Sequence, residues 1–478
     1  MARDGQTERT FDVVVIGAGP AGEVAAGRLA ERSDKRVAIV ERELVGGECS
    51  FYACMPSKAL LRPAEALHEV SRIPGAAEAV TGALDVRAAL ERRDEVISHL
   101  DDSGQLPWLE ERGITLLRGE ARLDGERRVR VGGELLVAED AIVIAAGSGA
   151  TFPPIPGLAE AGAWSNRQIT TAREVPGRLV ILGGGVVGVE MAQAWSSLGS
   201  RVTVIEALDR LLSREEPFAG QLVGEALSSR GVELRVGVKA TKVSRTGEEI
   251  AVRLESGESV SAERLLVAIG RTPHTRGLGL ETVGVPGDGY IEVDDHLQVP
   301  GLPWLYAVGD ANGRSLLTHS GKYQARIAVD HILGEDARAY SDRTAPRVTF
   351  TDPQVAAVGL TLEQARAEHG PAIVHVDVDT EGTAGGSFYG RGAPGTTRFV
   401  VDTAREVLLG VTFVGPDVTD FLQAATVAVV GEVPLRRLAH AVAPFPTRSE
   451  LWLKFLEAYE KEQSTTVHSA RSMRKEMA

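Results

Sequence analysis

Two stretches of this chain repeat one pattern: a β-branched strand, a glycine turn, a helix of small residues, and a second strand ending on a carboxylate. The first copy is FDVVVI (11–16), then Gly17, Gly19 and Gly22, a helix over 21–32, and a strand over 36–41 that closes on Glu41. The second is RLVIL (178–182), then Gly183, Gly185 and Gly188, the helix VGVEMAQAWSSLG, and the strand RVTVIE that closes on Glu206. The first glycine of such a set permits a tight turn. The second lets the backbone approach a pyrophosphate, and the third lets the helix pack close to the strand. The helix N-terminus then faces the phosphates, and the strand-end acid meets a ribose diol. A lone glycine set is weak evidence. With strand, helix and acid all in place, each copy predicts a dinucleotide-binding unit, and two copies predict two nucleotides held for one reaction.

The rest of the chain fits an enzyme of that kind. A length of 478 residues suits two to four domains. The 53 glycines and the low aromatic content of 5% suit α/β folds with phosphate-binding turns. A formal net charge of −14 argues against general nucleic-acid binding. No stretch reaches the ~20 apolar residues that span a bilayer, and the N-terminal MARDGQTERTFD lacks the apolar core of a signal peptide. The expected location is therefore the cytoplasm, with neither membrane nor nucleic acid as partner.

Only two cysteines are present, Cys49 and Cys54, in GGECSFYACMPSK (46–58). A structural disulfide is not expected in a reducing compartment, and two thiols without a histidine-rich segment make a poor zinc site. No metal is expected. In a straight helix the offset of the two cysteines is roughly 7.5 Å of rise alone, whereas a disulfide tolerates about 7 Å between Cα atoms. If the pair bonds, the first turn must be distorted. Two unpaired thiols remain the alternative on these residues alone.

GGECSFYACMPSK resembles the active-site signature of the flavoprotein disulfide reductases, which include dihydrolipoamide dehydrogenase, glutathione reductase and mercuric reductase. Further matches are AAGSGATFPPIPG, GGGVVGVE, VAIGRTP, LYAVGDA, FTDPQVAAVGLT and, in part, APFPTRSE. The resemblance runs from about residue 10 to 460. It implies an α/β fold with two Rossmann-like dinucleotide-binding domains and a C-terminal α+β dimerisation domain. The expected partition is residues 1–150 and 275–345 for FAD, 151–274 for NAD(H), and 346–478 for the interface of a homodimer with a shared active site.

It also implies roles for residues. Gly17, Gly19, Gly22, Glu41 and Asp310 would hold FAD, Gly183, Gly185, Gly188 and Glu206 the nicotinamide cofactor, and Gly147 and Arg271 would be further cofactor-binding residues. A carboxylate at 206 repels a 2′-phosphate, so NADH is expected, with NADPH as the alternative. Lys58 and Glu190 match a family pair on the nicotinamide side of the flavin. Cys54 would be the flavin-proximal sulfur and Cys49 the outer thiol that attacks a small-molecule substrate; in such exchange the thiolate attacks.

The departures carry as much information. The family's C-terminal signature is usually H-x-H-P-T-x-x-E, in which the second histidine is the acid–base partner of the outer thiol. This chain reads Ala443-Pro444-Phe445-Pro446-Thr447-Arg448-Ser449-Glu450. Phe445 occupies the histidine slot and cannot move a proton, while Glu450 is retained. Glu48 stands beside Cys49 where relatives carry threonine, and would disfavour a neighbouring thiolate if close. The tail STTVHSARSMRKEMA contains no cysteine, unlike the relay pair of mercuric reductases. The expected activity is NAD(P)H-dependent reduction of a disulfide or other electrophile. Two other readings stay open: a carboxylating or C–S-cleaving specialist like ketopropyl-coenzyme M oxidoreductase/carboxylase, and a flavin-bearing binding protein without turnover.

Overall fold

A computed structural model describes residues 7–393 and 395–476, with side chains to residue 464. The first strand, Thr7–Ile16, is the centre of its sheet. It pairs in parallel with Val37–Glu41 on one side and Glu134–Ile144 on the other. The sheet continues outward to Thr115–Arg118 at one edge and, through Leu302–Ala307, to Gln298–Val299 at the other. A strand in this position is covered on both faces, which is why VVVI is an unbroken apolar run rather than an alternating one. Val13 and Val15 pack with Ala25 and Leu29 of helix Pro20–Arg32 on one face. Val14 and Ile16 pack with Leu136 and Trp304 on the other. Each such side chain stabilises the fold by roughly 1.5–3 kcal/mol relative to exposure.

By chain contacts the molecule divides into two compact units. One comprises residues 1–60, 85–174 and 265–342; the other comprises 61–84, 175–264 and 343–478. The second unit repeats the parallel motif with strands Arg178–Leu182, Arg201–Glu206 and Glu233–Val236, and with helix Val186–Ser197 after the glycine turn. It also holds a five-stranded antiparallel sheet formed by Arg347–Thr349, Gln354–Gly359, Val407–Gly415, Thr396–Asp402 and Ile373–Asp379. Helices Thr419–Val430 and Leu451–Glu476 contribute Ala425, Leu451 and Phe455 to the core of this sheet. The architecture is mixed α/β, as the strand and glycine patterns predict. The last helix runs to Glu476. No helix among the described residues is long and apolar enough to cross a membrane.

The glycine turns explain their own composition. Gly17 has φ +99°, and a Cβ on Gly22 would lie 1.9 Å from the Gly17 carbonyl oxygen. The same geometry recurs in the other unit, where Gly183 has φ +111° and a Cβ on Gly188 would lie 1.9 Å from Gly183 O. Because the obstructing atom is backbone, Gly22→Ala is expected to destabilise the first unit by at least the roughly 1–3 kcal/mol typical of overpacking. The measurement is thermal unfolding together with the flavin content of the purified protein; both should fall, and a variant with unchanged Tm and flavin content would contradict the contact.

Candidate functional site

Each glycine turn is latched by its strand-end acid. Glu41 is 8% exposed; its Oε2 accepts from Ala18 N at 2.7 Å and its Oε1 from Glu43 N at 2.8 Å. Glu206 does the same in its own unit, accepting from Gly184 N at 2.5 Å and from Leu208 N at 2.7 Å. Both carboxylates are thus acceptors aimed at the turn, as a ribose diol requires. Gly185 has nothing within 4 Å of the position a Cβ would occupy, which leaves the second turn open to a close-approaching ligand. These features fit two dinucleotides.

Gly147 has φ +70°, and its carbonyl accepts from His274 N at 3.0 Å. Asp310 lies in the 3-10 turn Gly309–Asn312 and accepts from Ser148 Oγ. Arg271 donates from Nε to Ser148 Oγ and from a terminal nitrogen to Ser148 O, each at 2.6 Å, and stands 3.4 Å from Asp310. Gln324, 1% exposed, accepts from Gly309 N at 2.8 Å and from Asn312 Nδ2 at 2.9 Å. Gly147, Arg271 and Asp310 are therefore joined locally through Ser148 and His274. Neither Ser148 nor Gln324 is signalled by the sequence.

Cys49 sits in the short helix Gly47–Phe51 and Cys54 opens helix Cys54–Ser71. Both are thiols in this structure, and the two interact directly. Thr318, the first residue of helix Thr318–Ile332, reaches both. Its Oγ1 donates to Cys49 Sγ at 3.0 Å and lies 3.4 Å from Cys54 Sγ. The Cys54 sulfur and burial push the Cys49 thiol well above its ordinary range, while the Thr318 hydroxyl and the charge of Lys322 pull the other way. Thr318 is the functional neighbour that sequence reasoning missed, because it lies 269 positions along the chain from Cys49.

The carboxylate of Glu48 is not left in solvent. Its Oε1 accepts from Asn166 Nδ2 at 2.7 Å and its Oε2 from Arg167 Nε at 2.9 Å. The Arg167 guanidinium also lies 4.5 Å from the centre of the Tyr52 ring. Phe51 is 3% exposed. Asn166 and Arg167 open helix Asn166–Thr171, whose capping box, Ser165 with Gln168, is legible in SNRQ.

Lys58 donates from Nζ to Ser57 Oγ at 3.3 Å. Glu190, 2% exposed on helix Val186–Ser197, accepts from Phe350 N at 2.9 Å. Phe445 is 76% exposed, and Glu450 keeps a buried Oε2 without a hydrogen-bond partner among the described residues. No group of three or more His, Cys, Asp or Glu among the described residues is arranged to hold a metal ion.

Comparison with known proteins shows the family. Residues 11–329 match the family model described as pyridine nucleotide-disulphide oxidoreductase, and residues 345–454 match its dimerisation domain. The chain is 34% identical to a dihydrolipoyl dehydrogenase of Thermus scotoductus over 95% of this chain and 98% of that one. It is 31% identical to a mercuric reductase of Staphylococcus aureus over 94% of this chain and 81% of that one. Among solved structures, the HOCl-induced flavoprotein disulfide reductase RclA of Escherichia coli superposes with a TM-score of 0.82 at 27% identity, covering 94% of this chain and 99% of that one.

The environment of Cys49 gives a direct test. Removing the Thr318 hydroxyl with Thr318→Val takes away a hydrogen bond that favours the thiolate, so the Cys49 pKa should rise further. At fixed pH less thiolate is present, and alkylation of Cys49 by iodoacetamide in the reduced protein should slow by about three- to tenfold. Mass-spectrometric rates for the two cysteine positions check it; equal rates in variant and wild type would show that Thr318 does not act on the sulfur.

Proposed function

We propose a function from one premise: the chain belongs to the pyridine nucleotide-disulphide oxidoreductase family, which contains FAD and uses NAD(P)H. Its function is to pass electrons from NADH, through FAD and the Cys49–Cys54 pair, to a small disulfide or another electrophile. The observation that supports this most is the meeting of Cys49, Cys54 and the Thr318 hydroxyl at one point. FAD supplies the two-electron chemistry that joins the nicotinamide to the sulfurs. The residues of the chain do the rest. Gly17, Gly19, Gly22, Glu41, Gly147, Arg271 and Asp310 bind FAD, and Gly183, Gly185, Gly188 and Glu206 bind NADH. Lys58 and Glu190 orient the nicotinamide side, Cys54 is the flavin-side sulfur, and Cys49 meets the substrate.

In this reading the three-domain partition expected from the sequence organises the catalysis, and the C-terminal domain builds a homodimer in which Phe445 and Glu450 face the partner's Cys49. Phe445 brings no proton to that site. An incoming dithiol needs a base and a departing sulfur needs an acid, a contribution of typically ~10²–10⁴-fold. Lipoamide turnover should therefore be weak although relatives are named dihydrolipoyl dehydrogenase. The side chain at 445, which carries no proton, also favours a second reading, a carboxylating or C–S-cleaving reaction that needs proton donors kept away. Screening NADH oxidation against lipoamide, low-molecular-weight disulfides, quinones and metal ions separates them.

Two outcomes are expected. Phe445→His, with Glu450 present to orient the ring, should raise disulfide reductase activity by about tenfold or more while the rate of flavin reduction by NADH stays nearly constant. No gain would show that residue 445 does not face Cys49, or that the pocket serves other chemistry. For the nicotinamide cofactor, wild-type kcat/KM should favour NADH, and Glu206→Ser should narrow its advantage over NADPH by about tenfold, because a carboxylate no longer faces the 2′-phosphate. A wild-type preference for NADPH would refute this role of Glu206.

A further inference from the structure

The chain breaks sharply between its two cysteines, and Pro56 is the reason. In a continuous helix the carbonyl of Tyr52 would accept from the N–H of residue 56. A proline there has no N–H, and its ring crowds the carbonyl four residues back. The structure follows this constraint. One helix ends at Phe51, Tyr52 takes φ −132° and ψ −3°, and the next helix begins at Cys54. The helical ladder resumes one residue later, with Ser57 N donating to Ala53 O at 3.1 Å.

Tyr52 O is thereby deprived of its helical donor, and a carbonyl inside a protein has to find another. Helix Asn166–Thr171 supplies it. Asn166 Nδ2 donates to Tyr52 O at 2.9 Å. Thr170 Oγ1 lies 3.0 Å from the same oxygen and 2.8 Å from Asn166 O, so its single proton is shared between them. Both donors are buried, Asn166 at 5% and Thr170 at 2% exposed. The second amide hydrogen of Asn166 goes to Glu48, the residue before Cys49, at 2.7 Å. One buried amide therefore ties the segment just before the first cysteine to the break just before the second.

We propose that Asn166, seconded by Thr170, is a positioning residue for the cysteine pair: its amide fixes the break that Pro56 creates and so holds Cys49 and Cys54 where their sulfurs can bond. The need is geometric. A straight helix would separate the two Cα atoms by roughly 7.5 Å of rise, beyond the about 7 Å a disulfide spans. Asn166 acts through the backbone, not on the sulfurs, so its effect falls on the equilibrium between dithiol and disulfide. The inference rests on the reading of Cys49 and Cys54 as a redox pair.

The test is a redox titration of the purified holoenzyme in dithiothreitol buffers. Closing the pair takes two protons and two electrons from the two thiols and forms one S–S bond. Oxidised dithiothreitol accepts them as its own S–S bond opens. Alkylation and mass measurement then count the thiols. Asn166→Ala should shift the equilibrium towards the dithiol by about tenfold, which is about 30 mV for a two-electron couple. Thr170→Ala should shift it less, and Thr170→Ser should behave as wild type. Pro56→Ala returns an N–H to Tyr52 O, so in that background Asn166→Ala should add little, a non-additivity expected of groups that share one partner. Flavin content and the rate of flavin reduction by NADH should stay within about twofold of wild type throughout.

An unchanged equilibrium in Asn166→Ala would overturn the proposal, as would full additivity with Pro56→Ala. If Asn166→Ala does not fold, the graded response of Thr170→Ala and Thr170→Ser decides the same question: a shift in the first and none in the second supports the proposal, and no shift in either overturns it. A wild-type protein that never closes the disulfide would instead remove the redox-pair reading itself.

Discussion

The constraint on which both nucleotide-binding units depend is a near-collision of backbone. In each, the third glycine of the turn leaves 1.9 Å between a would-be Cβ and the carbonyl oxygen of the first glycine. The helix can lie that close to its strand only because the side chain is absent. Its N-terminal N–H groups then point at the place where phosphates bind, and the next strand delivers its terminal acid to the same turn. Glu41 and Glu206 complete the geometry by the same pair of backbone contacts, to the second residue of the turn and to a residue two beyond the acid. Two sequences with few identical residues thus converge on one arrangement because backbone packing and hydrogen bonding specify it.

Much of the fold is legible for the same reason. Strand, glycine and acid are local features, and the interactions that make them work span a few tens of residues at most. The paired cysteines and the buried strand FDVVVI are equally local signals. The contacts missed are long-range. Thr318 reaches Cys49 across 269 positions, Asn166 reaches Tyr52 across 114, and Arg167 reaches Glu48 across 119. No periodicity or motif in a single sequence announces a partner at such a distance. The capping box at Ser165 shows where a helix starts, not which carbonyl its first turn will serve.

Glu48 shows how a residue that looks unfavourable becomes neutral in context. A carboxylate beside a thiol opposes thiolate formation if its charge reaches the sulfur. Here both carboxylate oxygens are engaged, one by the Asn166 amide and one by the Arg167 guanidinium. The Arg167 pair is itself partly buried, so it is screened less than a surface pair would be. The charges named around Cys49 accordingly come from elsewhere: its own neighbour Cys54 and the ammonium of Lys322, one helical turn beyond Thr318. The acid at position 48 serves to anchor the loop.

That anchoring bears on how two thiols are held together in a chain with phenylalanine at position 445. Sulfur chemistry makes two separate demands: the two sulfurs must be able to meet, and protons must come and go. In this chain everything identified for the first demand lies within residues 48–57, 166–170 and 318, on segments of one compact unit. The residue that usually meets the second demand in the family lies in the C-terminal segment, where this chain carries the exposed ring of Phe445. The two demands fall on different segments of the sequence. In the proposed function, a substitution at 445 changes which substrates are served while the bend at Tyr52, the Thr318 hydrogen bond and the glycine turns stay in place. Divergence of substrate within a preserved redox framework is what such a separation permits.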